Sequence, residues 1–248
     1  MQLLVNLSVL AYVVIVTLVG ARMLLLARRT RGLPELLVGA GSVLICGVGF
    51  PASVASGFGG PLAQVHVPLW VASEFATQAG IVLMYAFTQQ VFRPGVAWAK
   101  ALIAAVAVGL PAGLAGAALA LAAAPAEASS VLVTRVWLLL CFVLYGGCFV
   151  WTASESLHHY VMARRRQALG LADAVVVSRF LLWGCYGLAA SGILAANAVG
   201  VLLGHNISTS RVVLLPAGAL GLAASVAIYL VFLPPAWYLG WLRSPANA

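Results

Sequence analysis

Two arginine-rich stretches decide the fold of this chain. The first is Ala27-Arg28-Arg29-Thr30-Arg31-Gly32-Leu33-Pro34-Glu35-Leu36-Leu37-Val38, and the second is Ala163-Arg164-Arg165-Arg166-Gln167-Ala168-Leu169-Gly170-Leu171-Ala172-Asp173-Ala174-Val175-Val176. Each follows a long apolar run, passes through arginines and a Gly-Leu pair, and leads past an acid into another apolar run. Basic turns between long apolar runs are typical of polytopic membrane proteins.

The composition leads to the same class. The chain has 248 residues, of which 64% are hydrophobic and 7% are charged. Soluble domains carry about a quarter charged residues, so most of this surface must face lipid. A span needs about 20 apolar residues, and the apolar runs are continuous rather than alternating. The sequence therefore predicts an all-α polytopic protein and not a β-barrel.

Seven transmembrane helices are predicted within a single domain covering residues 1–248. They are expected at residues 3–27, 34–57, 67–92, 98–123, 131–162, 175–203 and 211–233. The first run is too long for the core of a signal peptide, so it is interpreted as a membrane span. After the last span, Trp237, Tyr238 and Trp241 are expected to lie at the membrane interface.

The basic residues predict how the chain is oriented. One side of the seven-helix thread would hold Arg28, Arg29, Arg31, Arg93, Lys100, Arg164, Arg165, Arg166 and Arg243. On the other side, only Arg135 and Arg211 flank helices. By the positive-inside rule, the N-terminus is outside and the C-terminus is cytoplasmic. We expect a multi-pass protein of the cell membrane, and a bacterial inner membrane in particular.

The net charge of +8 does not indicate a nucleic-acid partner, because the arginines occupy the loops that orient the helices. The expected partner of most of the surface is the lipid bilayer. A small-molecule ligand is a second expectation. A cytoplasmic protein that contacts Arg164, Arg165 and Arg166 is a third.

The two basic stretches also suggest an internal duplication. They align with one two-residue gap, and Val91-Phe92-Arg93-Pro94 matches Val231-Phe232-Leu233-Pro234. Residues 1–94 and 131–235 would be parallel repeats, joined by a linker helix at 98–123. Apolar runs and basic loops also produce such matches by chance. The three-plus-one-plus-three plan resembles that of SWEET-type sugar carriers and, more loosely, microbial opsins, a likeness of architecture that does not establish function.

Polar side chains inside the bilayer are costly and therefore become candidate functional groups. Glu74 and Gln78 lie four residues apart on one face of the third predicted helix. Arg135 and Asn197 are expected at a similar depth on other helices. Together these four residues would line a pocket open to the outside, where Glu74 binds a proton or cation. The alternative is that Glu74 and Arg135 form an ion pair that only fixes packing.

A second polar cluster is predicted near the cytoplasmic side. Glu155, His158 and His159 lie one turn before the second basic stretch, and Glu155 can pair with His159 across four residues. Arg179 or Arg22 could join this cluster. The Glu155-x-x-His158 spacing also occurs in di-iron sites, but those need a second such motif. The chain lacks one, so no metal is predicted.

The sequence predicts neither a cofactor nor an enzymatic activity. His66 and His205 lie at helix ends, which are poor positions for holding a haem between helices. The single lysine, Lys100, is in a loop region, so a retinal bound as in opsins is excluded. The sequence has no hydrolase elbow, zinc-binding His-Glu-x-x-His or phosphate-binding loop.

Three functional classes fit these features. The first is a small-solute or proton-linked carrier with a site between the helix halves. The second is a seven-helix sensor that signals through a cytoplasmic partner, and the third is a noncatalytic subunit of a membrane complex. A polar path through the bundle would favour the carrier, whereas a single outer pocket above a closed cytoplasmic face would favour the sensor.

Overall fold

A computed structural model describes residues 2–57, 66–123, 127–207 and 209–243. Within these ranges every regular element is helical, which confirms the predicted all-α class. Most of the Gly-Pro turn expected at 57–61 lies outside the described residues, as do the first two residues of the Pro125-Ala126-Glu127 loop.

Nine α-helices follow one another along the described chain. They are α1 (Gln2–Thr30), α2 (Leu33–Ser42), α3 (Phe50–Ala55), α4 (Val67–Phe92), α5 (Ala97–Ala123), α6 (Glu127–Ala168), α7 (Ala174–Leu202), α8 (Arg211–Phe232) and α9 (Ala236–Leu242). A π-helical segment, Val43–Gly49, joins α2 to α3. The seven predicted spans are thus confirmed as α1, the unit from α2 to α3, and α4 to α8.

Most helix ends lie within three residues of the predicted positions. The exception is α6, which has 42 residues instead of the expected span at 131–162 and is about 63 Å long. The aromatic segment after α8 also forms a short helix, α9, that the sequence analysis did not predict. Tyr238 on α9 shares a hydrogen bond with Ser178 on α7, which holds the C-terminal segment against the bundle.

The two basic stretches turn by different means. After α1, Arg31 adopts the left-handed region with φ of 52°. After α6, Gly170 adopts the left-handed region with φ of 70°. The Asp173 carboxylate then accepts a hydrogen bond from the Val175 amide at the start of α7. A left-handed backbone favours glycine, so the second turn is the less strained one. The proposed duplication stays a prediction.

The π-helical segment lies directly before Pro51. A proline ring in an α-helix clashes with the carbonyl group four residues earlier, here that of Gly47. In this segment the Phe50 amide instead donates to the carbonyl of Ile45, five residues back. The wider turn gives the proline ring room, so the second span continues across Pro51 without breaking.

Six spans form a closed ring in the order α1, the α2–α3 unit, α4, α6, α7 and α8, because each packs against the next and α8 packs against α1. Helix α5 packs against both α4 and α6 on the outside of this ring. One end of the bundle, here called the basic end, has Arg28 near the end of α1, Arg93 directly after α4, Arg164 near the end of α6 and Arg243 directly after α9. The opposite end is called the His66 end.

The outer surface of the bundle is apolar along the middle of the helices. Val108 on α5 is 71% exposed and Val143 on α6 is 67% exposed. Water would not tolerate such a continuous apolar surface on a monomer, whereas lipid chains would. The exposed valines and leucines therefore mark the surface that faces the bilayer.

The contact between α2 and α4 gives a test of this packing. A Cβ atom added to Gly80 would lie 2.8 Å from the Gly41 carbonyl oxygen and 2.6 Å from Ile45 Cγ1. We expect Gly80→Ala to lower the free energy of unfolding by about 1–3 kcal/mol, because backbone must shift to admit the methyl group.

Gly109→Ala on α5 is the matched control, since no atom lies within 4 Å of its added Cβ. Its stability should stay unchanged or rise by up to about 1 kcal/mol, because alanine favours a helix. Unfolding in detergent micelles measures both variants. Equal stability of the two would contradict the close approach of α2 and α4.

Candidate functional site

Polar side chains concentrate along the contact between α4 and α6, which is called the α4–α6 seam. From the His66 end to the basic end, the paired contacts are Glu74 with Tyr145, Ile81 with Cys148, Thr88 with Thr152, and Arg93 with Glu155. Residue numbers rise together on both helices, so α4 and α6 run in the same direction. Helix α5 covers this seam from outside, where Trp98 lies 5.4 Å from Trp151 between ring centroids.

Glu74 lies in the half of the seam nearer the His66 end. Its Oε2 atom accepts a hydrogen bond of 3.3 Å from the Tyr145 hydroxyl group. The Cys141 thiol lies beside the same pair, one turn before Tyr145. No ion pair involves Glu74 among the described residues, so this carboxyl group is held by a phenol rather than by a cation.

The ion pair between Glu74 and Arg135, which was the packing alternative, does not form. Arg135 is exposed near the His66 end, where its Nη2 atom would lie 3.9 Å from a Cβ added to Gly204. An exposed guanidinium keeps its hydration, which burial beside Glu74 would remove. Asn197 on α7 is partly buried, and nothing joins it to Glu74 among the described contacts. The predicted four-residue pocket therefore keeps only Glu74 and Gln78 in one place.

Gln78 is one helical turn from Glu74 on α4 and is 1% exposed. Its Oε1 and Nε2 atoms are both buried and have no hydrogen-bond partner among the described residues. Leaving such a group unsatisfied costs about 1–3 kcal/mol. Native structures rarely leave it so without water or a ligand. Gln78 is thus the strongest sign of a binding site in this half of the seam.

At the basic end, Glu155 is held by a different arginine from those proposed. Its Oε1 atom accepts hydrogen bonds from Arg93 Nε at 2.7 Å and from Trp151 Nε1 at 3.1 Å. The expectation of Arg179 or Arg22 was wrong, because α6 packs against α4 at this level and brings Arg93 into reach. The hydrogen bond to Glu155 raises the pKa of the Arg93 guanidinium above its ordinary value, so Arg93 stays charged.

The two histidines of the predicted cytoplasmic cluster behave differently. His159 Nδ1 lies 2.9 Å from the backbone carbonyl oxygen of Glu155 and so donates a hydrogen to it, rather than pairing with the carboxylate. The His159 ring also lies 5.0 Å from the Phe92 ring between centroids. His158 is exposed and contacts His159 edge to face. The cluster is therefore centred on Glu155, Arg93 and Trp151, with the histidines at its margin.

Aromatic side chains from several helices meet inside the ring. The Trp183 ring on α7 lies 5.4 Å from Phe87 on α4, 5.2 Å from Tyr186 and 5.5 Å from Phe232 on α8, measured between centroids. The Tyr186 hydroxyl group reaches that of Tyr12 on α1 at 3.4 Å. Rings from four helices thus meet in the interior, and we call Trp183, Phe87, Tyr186 and Phe232 the aromatic cluster.

His66 has a structural role at the start of α4. Its Nδ1 atom accepts a hydrogen bond of 3.3 Å from the Leu69 amide, which satisfies one of the free amides of the first turn. His205 lies in the loop after α7 and is exposed. The absence of a haem between His66 and His205 stays a prediction.

Sequence reasoning did not find Tyr145 or the role of Arg93. The spacing in the sequence could have identified Trp151, because this tryptophan lies four residues before Glu155 on the same helix face. The other two contacts cross between helices, and no spacing within one helix indicates them.

Seven long apolar helices and an apolar outer surface that suits lipid define an integral membrane protein of the multi-pass, seven-helix class. No protein-family model, curated protein or solved structure matches the chain.

Proposed function

We propose that this protein is a proton-linked carrier of small polar solutes, in which Glu74 holds the proton and Gln78 binds the solute. The observation that carries the proposal is the pairing of these two groups. Among the described residues, Glu74 has a single phenol as its hydrogen-bond partner, and one turn away the buried Gln78 amide has none. Groups that are this costly inside a membrane usually mark an ion or substrate pathway.

The place of the two residues supports a carrier. If residues 1–94 and 131–235 are the two halves, the halves meet where α4 contacts α6 and where α8 contacts α1. Carriers built from repeats bind their substrate at the interface between repeats, within the membrane. Glu74 and Gln78 lie on the first of these interfaces, so relative movement of the halves would open or close their site.

The side chains also limit the solute. The Gln78 amide offers two donors and one acceptor oxygen, and the Tyr145 hydroxyl offers one more polar contact. Arg135 is too exposed to neutralise an anion at this depth. The site therefore suits a neutral, zwitterionic or cationic polar solute that hydrogen-bonds to an amide, and a proton on Glu74 would be exchanged as the solute enters.

Proton uptake in vesicles tests the proposal. The purified protein is reconstituted with a trapped pH dye, and monosaccharides, polyols, neutral amino acids and amines are added one at a time. We expect at least one of them to change the internal pH faster than in protein-free vesicles. No change with any solute class would contradict the carrier.

Gln78→Leu is expected to separate binding from stability. Leucine removes a buried amide that has no hydrogen-bond partner in the described part of the chain, so the free energy of unfolding should rise by about 1–3 kcal/mol. Solute-driven proton uptake should fall because the solute loses its amide contact. Gln90→Leu, on an exposed face of α4, should change neither quantity. A less stable Gln78→Leu protein would mean that the amide has a partner that the account misses.

The alternative is a sensor with a cytoplasmic partner. It draws on Arg164, Arg165 and Arg166, which are all exposed at the end of α6, beyond the apolar part of the helix. Three adjacent cations there could bind an acidic protein surface. A subunit of a larger complex would use the same surface. Both alternatives predict no solute-driven proton uptake, so the vesicle experiment separates them from the carrier.

A further inference from the structure

The polar side chains of the α4–α6 seam continue beyond Gln78 to the basic end. Below Gln78, the Tyr85 hydroxyl donates to the Leu144 carbonyl oxygen at 2.7 Å, and the Thr88 and Thr152 hydroxyls share a hydrogen bond of 2.7 Å. Glu155 follows Thr152 by one turn of α6. Thr152 and Glu155 are thus separated by about 4.5 Å along the axis of α6, a gap that a single water molecule can bridge.

The end of this series is a carboxylate with an unused oxygen. Glu155 Oε1 binds Arg93 and Trp151, whereas Glu155 Oε2 is buried and has no partner among the described residues. The side chain as a whole is only 8% exposed. The charged and titratable groups that face it are Arg93 from α4 and His159 from its own helix. Glu155 Oε2 is therefore able to accept a proton at the basic end of the seam.

The centre of the ring holds a shorter polar contact, in which the Tyr12 and Tyr186 hydroxyls lie 3.4 Å apart, and no carboxyl group of the described side chains lies beside it. Beside this contact, the rings of the aromatic cluster pack between α4, α7 and α8 with centroid distances of 5.2 to 5.5 Å. Ring faces and edges neither accept nor pass on a proton in the way that hydroxyl and carboxyl groups do. Polar contacts thus favour the seam over the centre as the way through the protein.

We infer that protons cross the protein along the α4–α6 seam, from Glu74 past the Thr88–Thr152 pair to Glu155, which is the inner proton acceptor. The inference rests on the proposed carrier function and adds its proton path. The proton leaves the Glu74 carboxyl group, which becomes a carboxylate. Each hydroxyl group or bridging water accepts one proton and donates another, and the Glu155 carboxylate becomes neutral before it releases the proton at the basic end.

The Arg93 guanidinium couples this step to the contact between α4 and α6. While Glu155 is ionised, Arg93 holds it at 2.7 Å at the end of α4. A proton on Glu155 removes the charge that holds Arg93, so protonation would loosen the contact between α4 and α6 at the basic end. Loss of the proton restores the ion pair and closes the seam again.

Proton movement through reconstituted vesicles tests the path, with the proton itself as the probe. A pH step is imposed across vesicles with a trapped pH dye, and potassium with valinomycin holds the membrane potential at zero. The measurement is made without solute and then with each solute class named above. We expect Glu155→Gln to slow the protein-dependent pH change by roughly a hundredfold, the scale of a lost proton-transfer group.

A stability measurement on Glu155→Gln and three further variants keep the test independent of folding. Glu155→Gln retains an oxygen that can accept from Arg93 and Trp151, and its thermal unfolding should resemble that of the native protein. Glu155→Asp keeps a carboxyl group and should retain part of the rate. Thr88→Val keeps its shape and should slow the pH change, whereas Glu35→Gln, in the first turn of α2, should not.

The outcomes distinguish the path from the carrier. The path is supported if the native protein speeds the pH change and the Glu155→Gln and Thr88→Val variants slow it. A fast native protein whose rate survives both substitutions overturns the path and leaves the carrier standing. A native protein no faster than protein-free vesicles, with or without every solute class, overturns both.

Discussion

Glu74→Gln is expected to reduce solute-driven proton uptake to the rate of protein-free vesicles. Glutamine keeps an oxygen that can accept from the Tyr145 hydroxyl, so the contact between α4 and α6 should persist. It cannot bind and release a proton, so the coupling between solute and proton should be lost. The pH dye in reconstituted vesicles measures this loss directly.

The matched control is Glu35→Gln, which makes the same chemical change at the start of α2, near the basic end. This variant should transport at the native rate. Full activity of Glu74→Gln would remove Glu74 from the proposed site. Equal loss in both variants would show that the effect comes from folding or insertion rather than from the site.

Trp183→Ala is expected to give the largest change in stability. Trp183 is 5% exposed and contacts rings on α4, α7 and α8. Its removal leaves a cavity at the centre of the ring, and tryptophan-to-alanine changes in packed interiors cost about 3–5 kcal/mol. The cost persists in a membrane because helix association there depends on close packing.

Unfolding in detergent micelles measures this cost, with Trp237→Ala as the control. Trp237 is 70% exposed on α9, so its removal should change stability by no more than about 0.5 kcal/mol. A small effect at Trp183 would mean that the interior of the ring is not packed as described.

The sequence predicted the spans well because lipid imposes one simple rule on them. A segment that crosses the bilayer must be apolar for about 20 residues and must satisfy its own backbone. The helix ends are also marked by local chemistry. Pro68 in the first turn of α4 and Asp173 before α7 lie at ends that the sequence placed within one residue.

The partners of the polar residues were harder to predict because they depend on how helices are rotated and which helices are neighbours. Glu74 binds Tyr145 and not Arg135, and Glu155 binds Arg93 and not Arg22 or Arg179. Charge alone suggested arginine for both acids. The direct contact between α4 and α6, with α5 displaced to the outside, decides both pairings.

Two of the four predicted pocket residues lie together in the structure, and the other two do not, for the same reason. Glu74 and Gln78 share one helix, so their spacing of four residues was enough to place them on one face. Asn197 and Arg135 lie on other helices, where estimated depth was the only guide. The depth of a residue in the membrane does not indicate whether its side chain faces the seam, the centre of the ring or the lipid.

The central claim is that Glu74 binds and releases a proton, and infrared spectroscopy tests it without knowledge of the solute. The carbonyl stretching band of a protonated carboxyl group is followed as pH is varied, in the native protein and in Glu74→Gln. Tyr145 and Cys141, the titratable groups that face Glu74, do not absorb in this band. We predict a band that disappears as pH rises and is missing from Glu74→Gln. A band at Glu74 that never changes with pH, or that never appears, would contradict the account.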